Sequence, residues 1–428
     1  MASSDVPNRP SVDSLAPGAS GFSAVSDYFF FSLVRSSLVP PEEVREAAAA
    51  AAQADGDSGV LRWQQKWIDA GRLTGWQIEA LSKGRRTFVY GRYKLLDYLG
   101  RGGMGSVYKG VDLKTGKLVA LKFINEEFAG KNNALARFSR EVELMLKLDH
   151  PNIVRAFFAD LEGAEPYVAM EFVAGETIRS YIDAGGPLPV GFSCECIRQA
   201  AVGMHYAHEH GVVHRDLKPT NIMVAWTGPG GGPIVKVLDL GLTRLHDRSG
   251  DRDVGLTATG QCIGTPEYIA PEQAFNSKIA EGRSDVFSLA CTLFHMLTKE
   301  LPYAGRSALE QVLARADRKA LRADEFRDDL PPGLADVIAR ALERDPKKRL
   351  GAMELAEGLA PFSPGPGKLA HLRLELVVHT APSTDPAPTL YREPTPVPGA
   401  ATATVVDRQR PDPGEKILAR LKNLVNDR

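Results

Sequence analysis

Apolar positions along the chain change their period twice. Over residues 22–85 they recur at helical spacing. "PPEEVREAAAAAAQA" opens with prolines and acids, which suit a helix start, and continues in the strongest helix former. "LTGWQIEAL" follows, where Thr74 and Gln77 have the spacing of a capping box. Trp63, Trp67, Trp76 and Leu81 can supply a small apolar core. From Tyr93 the texture changes. "YKLLDYLG", "SVYKGVD" and "KLVALKFI" alternate or run apolar at strand length, with turns at "GRGGMG" and "KTGK", which predicts a β-meander. "ALARFSREVELMLKL" returns to helical spacing through Leu135, Phe138, Val142, Met145 and Leu146. After about residue 180 the long periodic segments are mostly helical. An α+β chain is expected: a small helical extension (22–90), a β-rich lobe (about 93–173) and an α-rich lobe (about 174–362).

Both ends lack this order. Residues 1–21 are rich in Ser, Pro, Gly and Ala and are expected to be disordered. Periodicity fades after Pro361, and 363–428 reads as a Pro/Ala/Thr-rich tail. It closes on "GEKILARLKNLVNDR", a short amphipathic helix that is marginal alone. A hydrophobic share of 43% and a net charge of −1 describe an ordinary soluble protein, with no bulk attraction to nucleic acid or membrane. "YFFFSLV" (28–34) is too short to cross a bilayer, and the N-terminus lacks the pattern of a signal peptide. Cys194, Cys196, Cys262 and Cys291 make no disulfide framework in a chain of 428 residues. A soluble, cytoplasmic protein in a reducing compartment is expected.

The candidate chemistry comes in four pieces. Leu99-Gly100-Arg101-Gly102-Gly103-Met104-Gly105-Ser106-Val107 contains G-x-G-x-x-G, weak by itself. A dinucleotide fingerprint leads into a helix, whereas here a second strand follows, so a glycine hairpin closing over nucleotide phosphates fits better. "VALK" then places Lys122 in an apolar strand, where it can pair with phosphates if it faces the hairpin. An acidic partner is available in the next helix at Glu141. "VVHRDLKPTN" crowds Asp216, Lys218 and Asn221 into a short loop: a carboxylate for a hydroxyl proton, a cation for a migrating phosphoryl group, and a metal ligand. Finally "KVLDLGL" ends an apolar run in Asp239, a costly place for a carboxylate unless a cation binds it.

In this order the pieces resemble the bacterial eukaryotic-type (Hanks-type) serine/threonine protein kinases, with their "GxGGMGxVY" loop, over about Tyr93 to Phe362. The resemblance implies the bilobal protein-kinase fold and ATP-dependent phosphorylation of protein serines and threonines, with Mg²⁺ (or Mn²⁺) as the metal. Residues 99–107 would be the nucleotide loop and Lys122 with Glu141 the ion pair. Asp216 would be the proton acceptor, and Asn221 and Asp239 the metal ligands. Ala120 and the hinge "MEFV", with Met170, Glu171 and Val173, would bind adenine. Thr265 of "GTPEYIAPE" would lie near Asp216 and Lys218, Glu272 would pair with Arg349, and Asp285 would tie down the catalytic loop. Lys218 and Thr265 favour serine or threonine as acceptor. Arg215, with Thr257 and Thr259, implies activation by autophosphorylation, through a transient dimer when it occurs in trans. The partners expected are protein substrates and ATP, with no nucleic acid and no membrane span.

One position departs from the family: Leu240 stands where phenylalanine is the norm. The exchange is apolar for apolar and leaves Asp239 intact, so activity is expected, with an altered balance between active and inactive conformations. The competing readings are an ATP-binding pseudokinase or scaffold, and a small-molecule or lipid phosphotransferase. Lys122, Asp216, Asn221 and Asp239 are all present against the first, and "GTPEYIAPE" argues against the second. His205, His208, His210 and His214 invite a zinc reading, which their match to the end of a kinase helix and its catalytic loop disfavours. The segment 22–90 could bind partners, pack on the small lobe or extend the fold.

Overall fold

The computed structural model describes residues 24–372 apart from 55–56, 103–104, 126–131, 162, 164, 228–230, 241–265, 276–279, 304, 306–309, 311–313, 316–317 and 370–371. Four helices come first: α1 (Ala24–Ser36), α2 (Pro41–Ala54), α3 (Asp57–Asp69) and α4 (Gly75–Ser82). Glu42 and Glu43 lie in the first turn of α2, where the helix dipole favours acids. Thr74 and Gln77 form a reciprocal capping box on α4, each side chain accepting from the other's backbone N–H. Phe29, Leu33, Val44, Trp67 and Leu81 are buried between the helices. The Trp67 indole N–H donates to Glu43 at 2.9 Å, which satisfies the one polar atom of a buried ring.

The small lobe is a six-stranded antiparallel sheet of order β1-β2-β3-β4-β6-β5. Its strands are β1 (Val89–Tyr90), β2 (Tyr93–Gly102), β3 (Gly105–Asp112), β4 (Leu118–Ile124), β5 (Ala156–Asp160) and β6 (Tyr167–Glu171), with α5 (Asn132–Lys147) between β4 and β5. Lys122 therefore lies on the fourth strand, because the two-residue β1 precedes the meander. Successive residues of β4 point to opposite faces. Val119, Leu121 and Phe123, with Leu95, Tyr167 and Ala169, share one core with the four N-terminal helices. Ala120 and Ile124 face the other way and pack with Val142 and Met145 of α5. The helical extension is thus the outer layer of the small lobe.

The large lobe contains α6 (Ile178–Ala184), α7 (Val190–Glu209), α8 (Pro271–Phe275), α9 (Gly282–Thr298), α10 (Leu334–Ala341) and α11 (Ala352–Leu359). A three-stranded sheet joins them: β7 (Gly175–Thr177), β8 (Ile222–Trp226) and β9 (Pro233–Val237). Helix α9 runs through the core and is buried on nearly every side. Its Ser288 and Thr292 hydroxyls donate to carbonyls one turn back, so they need no water. Packing continues past Phe362: the Ser363 hydroxyl meets Glu195 on α7, and Leu369 and Leu372 are buried. Pro–Gly turns carry this stretch, so a periodicity reading ends the packed lobe too early. No helix among the described residues is long and apolar enough to cross a membrane. Cys194, Cys196 and Cys291 are buried free thiols, and burial pushes Cys194 and Cys291 up to about 12. Cys262 lies outside the described residues.

Candidate active site

Strands β2 and β3 pair as far as Gly102 opposite Gly105. The glycines have separate reasons. A Cβ on Gly105 would come within 1.7 Å of the Phe123 carbonyl oxygen, so glycine lets β3 close on β4. At Gly100 and Gly102 a Cβ would meet no atom within 4 Å, leaving backbone that a phosphate can approach. Gly103 and Met104 lie outside the described residues. Leu99 and Arg101 are exposed, while Ser106 and Val107 are half-buried. Ala120 and Met170 sit opposite each other in register and form an apolar wall with Val107. Glu171 ends β6, its carboxylate 2.7 Å from Lys236 of β9, and the half-buried Val173 follows it.

Lys122 lies in the middle of β4, flanked in register by Val107 and Val168, and is 4% exposed. Its ammonium stands 2.6 Å from Asp239 Oδ1. Burial alone would raise the Asp239 carboxyl, but the charge and hydrogen bond of Lys122 hold it below the usual carboxylate range, with help from His214 and Lys218. The ion pair shown for Lys122 is thus with Asp239. Glu141 lies half-buried on α5, next to the buried Val142.

Asp239 has φ 56°, a left-handed conformation that a non-glycine residue adopts at a cost of about 1 kcal/mol or more. Its neighbours enforce it. Leu238 N–H donates to the Asn221 carbonyl at 2.9 Å, and His214 Nε2 donates to the Leu238 carbonyl at 2.7 Å. Leu240 is buried in the large-lobe core, so the residue that replaces phenylalanine acts as a packing anchor. This bend aims the carboxylate at Lys122.

The catalytic loop is held the same way. Arg215 has φ 69°, and buried Asp285 of α9 accepts from the N–H of His214 at 2.9 Å and of Arg215 at 2.8 Å. His208 at the end of α7 adds a contact from Nε2 to Asp285 at 2.8 Å. Burial would raise the Asp285 carboxyl, but the His208 hydrogen bond, the charges of His208 and His214 and the backbone donors keep it low. Replacing Asp285 by Ala is expected to cost roughly 3 kcal/mol or more in urea unfolding, because two buried donors lose their acceptor at about 1–3 kcal/mol each. The depressed carboxyl contributes stability above the ordinary Asp pKa of about 3.9, lost as pH falls through its lower folded value. The deficit should therefore be constant at neutral pH and shrink only in acid below about pH 4. The other histidines have separate partners: His205 lies 3.5 Å from Glu209, and His210 Nδ1 donates to the Tyr206 carbonyl at 2.8 Å.

At the centre, Lys218 Nζ is 2.8 Å from Asp216 Oδ2. Asn221 Nδ2 donates to the Asp216 carbonyl at 2.7 Å and to its carboxylate at 3.2 Å. The Asn221 amide oxygen lies 3.5 Å from the Thr220 hydroxyl, and this oxygen and the Asp239 carboxylate are the groups that would hold a cation. Two hard oxygens would suit a magnesium-type ion. Among the described residues no group of three or more His, Cys, Asp or Glu could hold a metal. Lys122, Asp216, Lys218, Asn221 and Asp239 are thus brought together, while Thr257, Thr259 and Thr265 lie outside the described residues.

The protein kinase domain family model matches residues 93–358. The chain belongs to the protein kinase family. It is 35% identical over 264 residues to a probable serine/threonine-protein kinase PknB of Lactococcus lactis, covering 61% of this chain and 40% of that one. PrkC of Bacillus subtilis, also a serine/threonine-protein kinase, is 33% identical over 267 residues, covering 62% and 39%. The kinase therefore spans about two-fifths of the length of these relatives. Among solved structures, Rad53 in complex with AMP-PNP aligns at 27% identity and a TM-score of 0.52, covering 67% of this chain and 68% of that chain.

The kinase large lobe anchors the stretch that begins at Pro266. Arg349, fully buried, clasps Glu272 with Nη1 at 2.6 Å and Nη2 at 3.0 Å and donates to the carbonyls of Glu343 and Arg283. Gln273 Nε2 reaches the Arg215 carbonyl at 3.1 Å. Tyr268 donates to His295 Nδ1 at 2.7 Å. Burial, then Arg179, pushes His295 down to about 4, so the ring is a neutral acceptor at pH 7. Sequence reasoning missed His208, Gln273 and His295, whose partners lie 77, 58 and 27 residues away with no local signal.

Proposed function

We propose that the chain transfers the γ-phosphoryl group of ATP to serine or threonine hydroxyls of proteins. The observation that carries this reading is the linked set Asp216–Lys218–Asn221, bonded through Asn221 to the strand end that presents Asp239 to Lys122. Asp216 accepts the proton of the attacking hydroxyl, and Lys218 offsets negative charge on the group in flight. Lys122 holds the α- and β-phosphates, sharing its charge with Asp239 and, once nucleotide is in place, with Glu141. The glycine hairpin covers the phosphates, and the wall of Val107, Ala120 and Met170 takes the adenine beside the backbone of Glu171 and Val173. Asn221 and Asp239 would hold Mg²⁺, or Mn²⁺ in its place, which would offset the negative charge of the phosphates.

Lys218 and Thr265 favour aliphatic hydroxyls as acceptors. Arg215 is suited to receive a phosphate on Thr257 or Thr259, placed there in cis or within a transient dimer. A cytoplasmic setting accords with this use of ATP.

Incubation with ATP and Mg²⁺ beside a generic basic protein tests the reading. Wild type is expected to transfer labelled phosphate, and Asp216→Asn to fall by about 100- to 10,000-fold, the usual range for a general base. Equal inactivity of both, with ATP still bound, would favour a pseudokinase. Mass spectrometry of the incubated chain should find phosphate within 249–265; its absence there would remove the autophosphorylation step.

A further inference from the structure

The edge of the nucleotide hairpin is finished by the helical extension. Strand β2 carries an extra residue: Leu95 pairs with Gly110 and Asp97 with Lys109, so Leu96 has no partner on β3. On the other side β1 reaches only Val89 and Tyr90, opposite Lys94 and Tyr93. The carbonyls of Leu95 and Leu96 are therefore left to find donors elsewhere, and a buried carbonyl without one is costly. The capping box of α4 supplies both. Gln77 Nε2 donates to the Leu95 carbonyl and Thr74 Oγ1 to the Leu96 carbonyl, each at 2.5 Å. Gln77 is completely buried. Each side chain thus serves twice, closing the helix start and pinning the bulge.

A second contact holds the opposite strand. Arg85, just after α4, donates to the Tyr108 hydroxyl at 3.2 Å and lies over its ring at 5.0 Å, while Trp76 packs against that ring at 5.4 Å. Tyr108 pairs with Tyr98 across the hairpin. Only Asp97, Tyr98 and Leu99 separate the pinned bulge from Gly100.

We propose that Thr74 and Gln77 are positioning residues for ATP: the helical extension fixes the resting place of the glycine hairpin through the bulge in β2. The inference rests on the kinase reading above. A hairpin that is nucleotide-ready only part of the time binds ATP more weakly by that fraction, while the bound complex reacts as before. The full chain with Thr74→Val, which keeps the side chain's shape and removes both its donor to Leu96 and its cap acceptor for Gln77, is expected to show a KM for ATP and a Kd for a fluorescent ATP analogue raised roughly three- to tenfold. Its kcat should stay within about twofold, and Thr74→Ser should restore wild-type values. Gln77→Leu should act in the same direction. In the nucleotide-free Thr74→Val chain, amide hydrogen exchange should quicken over residues 97–108 and stay unchanged in α7.

A folded Thr74→Val protein with unchanged KM, Kd and exchange overturns the proposal, and so does a Thr74→Ser protein as impaired as Thr74→Val. Should Gln77→Leu fail to fold, the Thr74 pair still decides. A wild-type chain that neither binds nor transfers phosphate would sink the kinase reading itself, and exchange over 97–108 would then judge the clamp alone.

Discussion

Lys122→Met is expected to abolish phosphoryl transfer while leaving the fold nearly as stable as before. Transfer should fall by about 100- to 1,000-fold, the scale of losing one charged group aimed at the reacting phosphates. The fold should survive because methionine fills the space of a side chain only 4% exposed, while the Asp239 carboxylate left behind is 35% exposed and can be hydrated. The partner behaves differently. Asp239→Asn leaves Lys122 buried without its anion and is expected to cost roughly 3 kcal/mol in urea unfolding, besides losing transfer. A stability loss for Lys122→Met larger than that for Asp239→Asn would contradict this account. A cost for Asp239→Asn below about 1 kcal/mol would show that Glu141 takes over Lys122, the pairing that the kinase resemblance implies.

A chain starting at Arg92 is expected not to fold into a soluble kinase domain. Removing α1–α4 and β1 uncovers Leu95, Val119, Leu121, Phe123, Tyr167 and Ala169, all now in one core with the helices. At about 1.5–3 kcal/mol for each large apolar side chain brought back into water, the loss is on the order of 10 kcal/mol. That matches the whole stability of a typical domain, about 5–15 kcal/mol. Expression of the two lengths side by side, followed by size-exclusion chromatography and thermal unfolding, checks this. A monodisperse truncated chain with an unchanged Tm would show that the extension is a separable appendage.

These outcomes also mark what could be read from the sequence. Local signals were legible: the capping box at Thr74 and Gln77, the helical spacing of α5, the strand–turn–strand at the glycines, and the crowding of Asp216, Lys218 and Asn221. The two lobes followed from the strand-length periods that begin at Tyr93 and the return to helical spacing after about residue 180. What stayed hidden depends on distance in three dimensions. Nothing in "LTGWQIEAL" says that Gln77 also serves the Leu95 carbonyl, because that need arises from a bulge 18 residues on. Nothing near His208 points to Asp285. The family resemblance pairs Lys122 with Glu141, whereas the backbone bend at Asp239 delivers a different carboxylate to it. Leu369 and Leu372 come after the Pro–Gly run at 364–367, which reads in the sequence as the end of the packed lobe.

The alternation along β4 has a consequence for genetics. Lys122 faces Asp239 while its neighbours Leu121 and Phe123 face the helical layer. A saturation screen for loss-of-function alleles should thus outline two footprints, one around the cleft and one on the far side of the sheet, joined only through the spine of a single strand. Alleles from the second footprint would pass for catalytic lesions in a cell-based assay, and suppressors of them should map to α1–α4.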